Sequence, residues 1–355
     1  MASPCGRKRL WQRAARDSGP RANGSVGDSI VQDTVISSGA GAPGRTSIAF
    51  ACLVLGAVAM GASPIFVRLA DVGPYASAFW RTFLALPLLF AWAVAERMLE
   101  RRRLAAAHGG AASRRPAESL GGRDRRPPFD RVVLLTGLLF AGDLFFWHLA
   151  ILGTTVANAT FLATTAPIWV ALGAWLIAAE RIGRHTLAGL TLCLLRGAAL
   201  LGQSYGFAPE RLAGDLAGVV TAVFFGSYVL AVRAARRRHG AGALIFSSTC
   251  MTAACLLVVA LLLEPRLLPQ SANGLAALIA LAVVSQVGGQ GLVAIALGAL
   301  PATFSSLVIF LEAIAAAAFG WLILGETLGP PQLLGGVLIL LGIWLARPRA
   351  SIQAV

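Results

Sequence analysis

Apolar stretches of about 20 residues recur from Ser47 to Ala346, separated by short polar punctuation. That length crosses a hydrocarbon core of ~30 Å as a helix, and few soluble folds repeat it. The balance of residues agrees: 57% are hydrophobic and 13% charged, with mean hydropathy +0.74. Soluble domains carry about 25% charged residues. A cytosolic enzyme, a secreted disulfide scaffold and a nucleic-acid-binding domain are excluded. The five cysteines support this, because Cys5 lies near the N-terminus and Cys52, Cys193, Cys250 and Cys255 fall in apolar runs as small fillers.

Ten spans follow from the hydropathy. They are 47–70, 75–96, 131–152, 156–178 and 184–203, then 212–234, 240–263, 273–298, 302–323 and 329–346. Residues 1–46 read as a disordered cytoplasmic tail with no signal-peptide pattern, and 347–355 as a C-terminal tail. Most connections are short. The exception is 97–130, a Gly-, Pro- and Arg-rich segment expected to be a flexible cytoplasmic loop.

A net charge of +14 could suggest nucleic acid, but the 30 basic residues, all arginine except Lys8, fall almost entirely in tails and loops. With the N-terminus inside, the basic clusters line up on one face and leave Arg211 and Arg266 on the other. The asymmetry places both termini in the cytoplasm and makes the anionic lipid surface the electrostatic partner.

The chain also repeats itself. An offset of 165 lays Ala57, Val58, Gly61, Val67, Arg68 and Ala70 on Ala222, Val223, Gly226, Val232, Arg233 and Ala235. An offset of 146 lays Trp175, Glu180 and Gly189 on Trp321, Glu326 and Gly335. Five spans is an odd number, so the copies 47–203 and 212–346 cross the membrane in opposite senses. The expected fold is an all-α membrane protein of ten transmembrane helices, built as two inverted five-helix repeats around a midplane site.

Charges in the bilayer core cost roughly 2.5–3.5 kcal/mol each, so each one asks for a reason. Asp143, Arg196 and Glu312 fall near the middle of their spans. Asp143 and Glu312 are candidates to face a polar cavity, hold an amino group or carry a coupling proton. Arg196 is a candidate carboxylate partner, and the competing reading is a buried Asp143–Arg196 pair that pins helices. Trp147 shares a helical face with Asp143, whereas His148, five residues away, points elsewhere and is a candidate either for coupling or as a satisfied core histidine. Trp80 and Arg81 offer an aromatic wall and an anion contact, or an interfacial Trp beside a snorkelling Arg. Asn158, Gln286 and Gln290 can hydrogen-bond a polar solute. In SQVGGQG the two glutamines share a face, and Gly288, Gly289 and Gly291 permit close approach of a helix or a solute. Glu180 and Glu326 read as structural residues at span ends.

The ordered series of spans, FWRTFLAL with Arg81, the glutamates closing the fourth and ninth spans and the segment 142–182 together resemble the EamA-type carriers of the drug/metabolite transporter superfamily. The resemblance implies that the first four spans of each half line a central cavity. It also implies that the fifth and tenth are peripheral and support packing or a homodimer. It implies an inner-membrane carrier of a small organic solute such as an amino acid or drug. Two residues depart from the pattern. Ala313 stands where the ninth span usually has a proline matching Pro167, which should leave the cavity walls unequal, and Arg196 is unusual in a fifth span.

No HExxH, GxSxG, Walker or EF-hand pattern occurs, and no cofactor or metal ligand set is legible. The reading is a secondary transporter working by alternating access, in the export direction and coupled to protons. The alternatives are an uncoupled facilitator, a membrane scaffold and an intramembrane enzyme.

Overall fold

A segment surrounded by lipid must satisfy its backbone N–H and C=O groups internally, so apolar runs of this length are forced into helices. The computed structural model describes residues 43–108, 129–154, 159, 162–163, 165–178, 209–325 and 337. Among these, every regular element is helical. The chain-order helices are α1 (Pro43–Gly61), α2 (Ser63–Leu69), α3 (Pro74–Phe83), α4 (Leu86–His108), α5 (Arg131–Gly153) and α6 (Ala166–Ala178). They continue with α7 (Leu212–Arg236), α8 (Ala241–Leu263), α9 (Ala272–Ala280), α10 (Gly291–Leu297), α11 (Ala302–Ile309) and α12 (Leu311–Leu324). A π-helical stretch, Leu281–Gln290, joins α9 to α10.

Several of these helices are pieces of one span. Seven spans among the described residues are long and apolar enough to cross a membrane: Thr46–Leu69, Pro74–Arg103, Arg131–Gly153, Leu212–Arg236, Ala241–Leu263, Ala272–Leu297 and Ala302–Ile323. Ala166–Leu176 is a shorter apolar helix in the expected fourth span. The expected spans 184–203 and 329–346, with Arg196, Glu180 and Glu326, lie outside the described residues. So do most of both tails.

The interruptions have sequence causes. A proline removes its own N–H and clashes with the carbonyl four residues earlier. Pro64 and Pro87 are therefore preceded by the breaks at Ala62 and at Leu84–Ala85. The span Ala302–Ile323 has no such proline, yet it too is interrupted. At Phe310 the ladder tightens to i→i−3 bonds, Phe310 N to Leu307 O (3.2 Å) and Ala313 N to Phe310 O (3.0 Å). The absence of a proline at Ala313 therefore does not leave this span as one unbroken helix. Ser306 Oγ donates back to Thr303 O at 2.9 Å, a bond that bends helices without proline.

A correction concerns 97–130. Helix α4 runs through its first twelve residues to His108, because Met98 to Ala107 are strong helix formers. The following helix α5 is capped by Asp130, whose Oδ1 accepts from Val133 N at 2.9 Å. Burial pushes the Asp130 carboxyl up, but the Val133 amide and the His239 ring outweigh it and hold it below the usual carboxylate range.

Lipid tails are as apolar as leucine, so helices associate here through close packing of small residues. The clearest case is α5 against α7, where Gly153 meets Gly214 backbone to backbone and a Cβ on Gly214 would fall on Gly153. Gly214→Ala is expected to lower the melting temperature in detergent by several degrees, from overpacking of about 1–3 kcal/mol. The lipid-facing control Leu262→Ala, at a side chain 77% exposed, should leave it unchanged.

Two further glycines are related by the sequence repeat. A Cβ on Gly61 would meet Ala315 Cβ, Glu312 O and Ala316 N at 2.7, 2.7 and 3.0 Å. A Cβ on Gly226 would meet Trp169 Cβ, Ala166 O and Val170 N at 2.8, 3.0 and 3.3 Å. The offset of 165 relates the glycines, and the offset of 146 relates all three partners. Each copy thus sets its first helix against the fourth-span helix of the other through the same three atoms.

Candidate functional site

The walls of the central cavity are set by this crossing. The first half contributes Met60, Ser63, Arg81, Asp143, Trp147 and Pro167, and the second Thr221, Phe225, Gln290, Ser306, Glu312 and Ala316. Met60 pairs with Phe225 at the offset of 165, and Ala166 with Glu312 and Pro167 with Ala313 at 146; all of these line the cavity. The cavity is partly open and its volume is about 80 Å³. That is small beside the roughly 300–1,000 Å³ that surrounds a drug-sized ligand.

Arg81, in the last turn of α3, is 5% exposed. It is anchored by neutral groups. Nε donates to Gln286 Oε1 at 3.1 Å, Nη1 donates to Ser63 Oγ at 3.2 Å, and the guanidinium lies 5.9 Å from the Phe140 ring centroid. Gln286 is steadied in turn by donating from Nε2 to Thr249 Oγ1 at 3.3 Å. This arrangement uses the fork geometry of arginine and leaves its charge uncommitted.

Two carboxylates share that field. Asp143 on α5 is 6% exposed, and Glu312 in the first turn of α12 is half-buried, with surface facing the cavity. Both interact electrostatically with Arg81 and with each other, yet neither forms an ion pair with it within 4.0 Å among the described residues. A cation held by neutral anchors beside two unpaired acids can take up a solute that carries both signs of charge.

The sequence candidates divide clearly. Arg81, Asp143, Trp147, Gln290 and Glu312 meet at the cavity. Gln286 sits behind Arg81 as its anchor, 1% exposed and off the lining. Trp80 is turned away: its indole N–H donates to Leu267 O, and its ring packs on Phe79 and Phe83. His148 is buried off the lining, with Nδ1–H donating to Leu144 O of its own helix. Asn158 lies outside the described residues. Arg81, placed by its sequence beside Trp80 at the outer part, instead stands as the cation nearest in effect to Asp143.

Ser63, Phe140 and Tyr228 were not legible as site residues. Tyr228 is 2% exposed, donates its hydroxyl to Gln290 Oε1 at 3.0 Å and stacks on Phe140 with ring centroids 4.8 Å apart. The repeat held the signal, since the offset of 165 lays Ser63 on Tyr228. One orients Arg81 and the other orients Gln290. The glycines of SQVGGQG divide likewise, Gly289 packing on Met60 and Gly56, and Gly291 on Trp92.

Known proteins resemble this chain in sequence or in fold. The pseudopaline exporter CntI of Pseudomonas aeruginosa, in strains UCBPP-PA14 and PAO1, is 26% identical over 219 residues, which covers 61% of this chain and 75% of the exporter. A protein of known crystal structure matches with TM-score 0.62 at 19% identity, covering 86% of this chain and 97% of its own, a likeness of fold. A family model described as the EamA-like transporter family matches twice, over residues 47–202 and 212–347. Both halves of this multi-pass membrane protein are thereby accounted for, and the chain belongs to the EamA-like transporter family.

Proposed function

We propose that the protein is a secondary transporter that exports a small organic metabolite across the cytoplasmic membrane by alternating access, with both termini in the cytoplasm. The observation that carries this reading is the cavity that both halves enclose, where Arg81 faces two unpaired carboxylates. The matched crossings at Gly61 and Gly226 support two inverted five-helix copies, because the same three contacts recur with the halves exchanged. Similarity to an exporter supports the direction. The solute is amino-acid-like: its carboxylate meets Arg81, its ammonium lies between Asp143 and Glu312, and Trp147 bounds its side chain. A proton on Glu312, the more exposed acid, drives the cycle.

For a carrier to turn over, its solute must bind the two open states with similar affinity, or one state traps it. Proteoliposomes holding purified protein test the proposal with labelled amino acids and amino-acid derivatives. Uphill accumulation that vanishes when the pH gradient is collapsed is the expected result. Accumulation that persists removes the proton from the scheme. Flux that only equilibrates the solute identifies an uncoupled facilitator.

A further inference from the structure

Beyond the cavity, helix pair α3–α4 and α8 are joined at both ends by an acid from each. At one end Glu264, just past α8, accepts from Tyr75 N at 2.9 Å in the first turn of α3. At the other end Glu96 of α4 accepts from three amides in the first turn of α8: Ala241 N at 2.9 Å, Gly242 N at 2.9 Å and Ala243 N at 3.3 Å. The helix starts of α3 and α8 are N-capped by Gly73 and Gly240, which have no side chain of their own to offer. An ionised carboxylate at a helix N-terminus satisfies orphan amides and meets the positive end of the dipole. Each half therefore caps the other half's second span.

The two contacts are the same device used twice. Gly73 and Gly240 are 167 residues apart and Glu96 and Glu264 are 168 apart, close to the repeat offset of 165. Neither glycine is needed for backbone conformation, with φ of −64° and −62°. Both are needed for space: a Cβ on Gly73 would collide with the Glu264 carboxylate, and one on Gly240 with that of Glu96. A neighbouring bond reinforces each corner. Asp71 Oδ2 accepts from Gln270 N (2.9 Å) and Ser271 N (2.6 Å) beside Glu264, and His239 Nε2 bonds Asp130 Oδ2 at 2.8 Å beside Glu96.

We infer that Glu96 and Glu264 are paired latches, one at each mouth of the carrier, and that each cycle releases them in turn. This rests on the alternating-access reading above. Both latches are engaged together here, and the cavity lined by the two halves, about 80 Å³, is too small for a metabolite. Admitting a solute requires one mouth to part while the other holds. Between the latched ends, α3 carries Arg81 and α8 carries Thr249, which anchors Gln286, so releasing either end moves the groups that hold the solute-binding cation.

The latches make opposite predictions for the two faces. Loss of the Glu96 latch destabilises the state closed on that face, and loss of the Glu264 latch does the converse. The test places a single cysteine at Ala316, on the cavity wall, with the native cysteines replaced. A membrane-impermeant maleimide is then applied to right-side-out and to inside-out vesicles. Glu96→Gln should shift the ratio of labelling rates about tenfold toward the face that carries Glu96, the factor one charge-assisted hydrogen bond represents. Gly240→Ala should do the same by displacing the carboxylate, so a glutamine variant that folds poorly does not decide the matter. Glu264→Gln and Gly73→Ala should shift it by a similar factor the other way. Shifts in the same direction for both pairs, or none beyond twofold, overturn the latch assignment. A parent protein labelled from only one face counts against alternating access itself, whereas a parent labelled from both faces with unresponsive variants counts against the latches alone.

Discussion

Arg81→Gln is expected to reduce transport by at least a hundredfold in reconstituted vesicles, measured with the variant incorporated at close to the parent level. The side chain is the cation that both cavity acids feel, and its Nε and Nη1 are fixed by Gln286 and Ser63. Its charge is thus aimed before the solute arrives, which spares the cost of ordering it on binding. Glutamine keeps polarity and some length but supplies no charge to a solute carboxylate. Arg81→Lys separates charge from geometry. A lysine ammonium keeps the charge but lacks the planar fork that reaches Gln286 and Ser63 together. Its flux should fall by about tenfold, between the parent and Arg81→Gln. Initial rates at saturating and limiting solute, normalised to protein, read both effects. Wild-type flux in Arg81→Gln would remove the site from the mechanism.

The second large effect divides the acids. Glu312→Gln is expected to abolish accumulation driven by a pH gradient while solute exchange at equal pH persists, because an isosteric amide keeps the cavity shape and cannot cycle a proton. Asp143→Asn is expected to raise KM by tenfold or more, the equivalent of about 1.4 kcal/mol, because it loses a charge for the solute ammonium. The difference follows from placement. Both acids line the cavity, but Glu312 is half-buried while Asp143 is only 6% exposed. The readouts are the steady-state accumulation ratio for the first and concentration-dependent initial rates for the second. If both variants keep parental coupling and KM, the acids are structural.

Much of the helical layout was legible because lipid makes one demand on every span. A charge-poor run of about 20 residues has helix as its only economical form. The breaks before Pro64 and Pro87 were not anticipated, although proline is their cause. The break at Phe310 was not legible, since a Ser306–Thr303 side-chain bond is a weaker sequence signal than proline. The end of α4 was misjudged for a different reason. Arginine density suggests a solvated loop, but arginine also favours helix.

At the site, Asp143 and Glu312 announced themselves through the cost of a charge at mid-bilayer depth. Arg81 was legible as a cation but not as the centre of the site, since its position near a span end suggested snorkelling to the surface. Trp80 was misleading. Its indole N–H finds the Leu267 carbonyl, a partner in the other half that no local spacing reveals.

Hydropathy, the placement of arginines and an internal repeat were enough for membrane residence, helical class and the existence of two related halves, because each depends on residue type against a uniform solvent. Which residues face one another across the halves required the fold. Trp80 finds Leu267, Arg81 finds Gln286 and Glu96 finds the start of α8 across 187, 205 and 145 or more residues of chain. Those meetings arise where glycine backbones cross and helices seat against each other, a matter of shape that one-dimensional spacing does not encode.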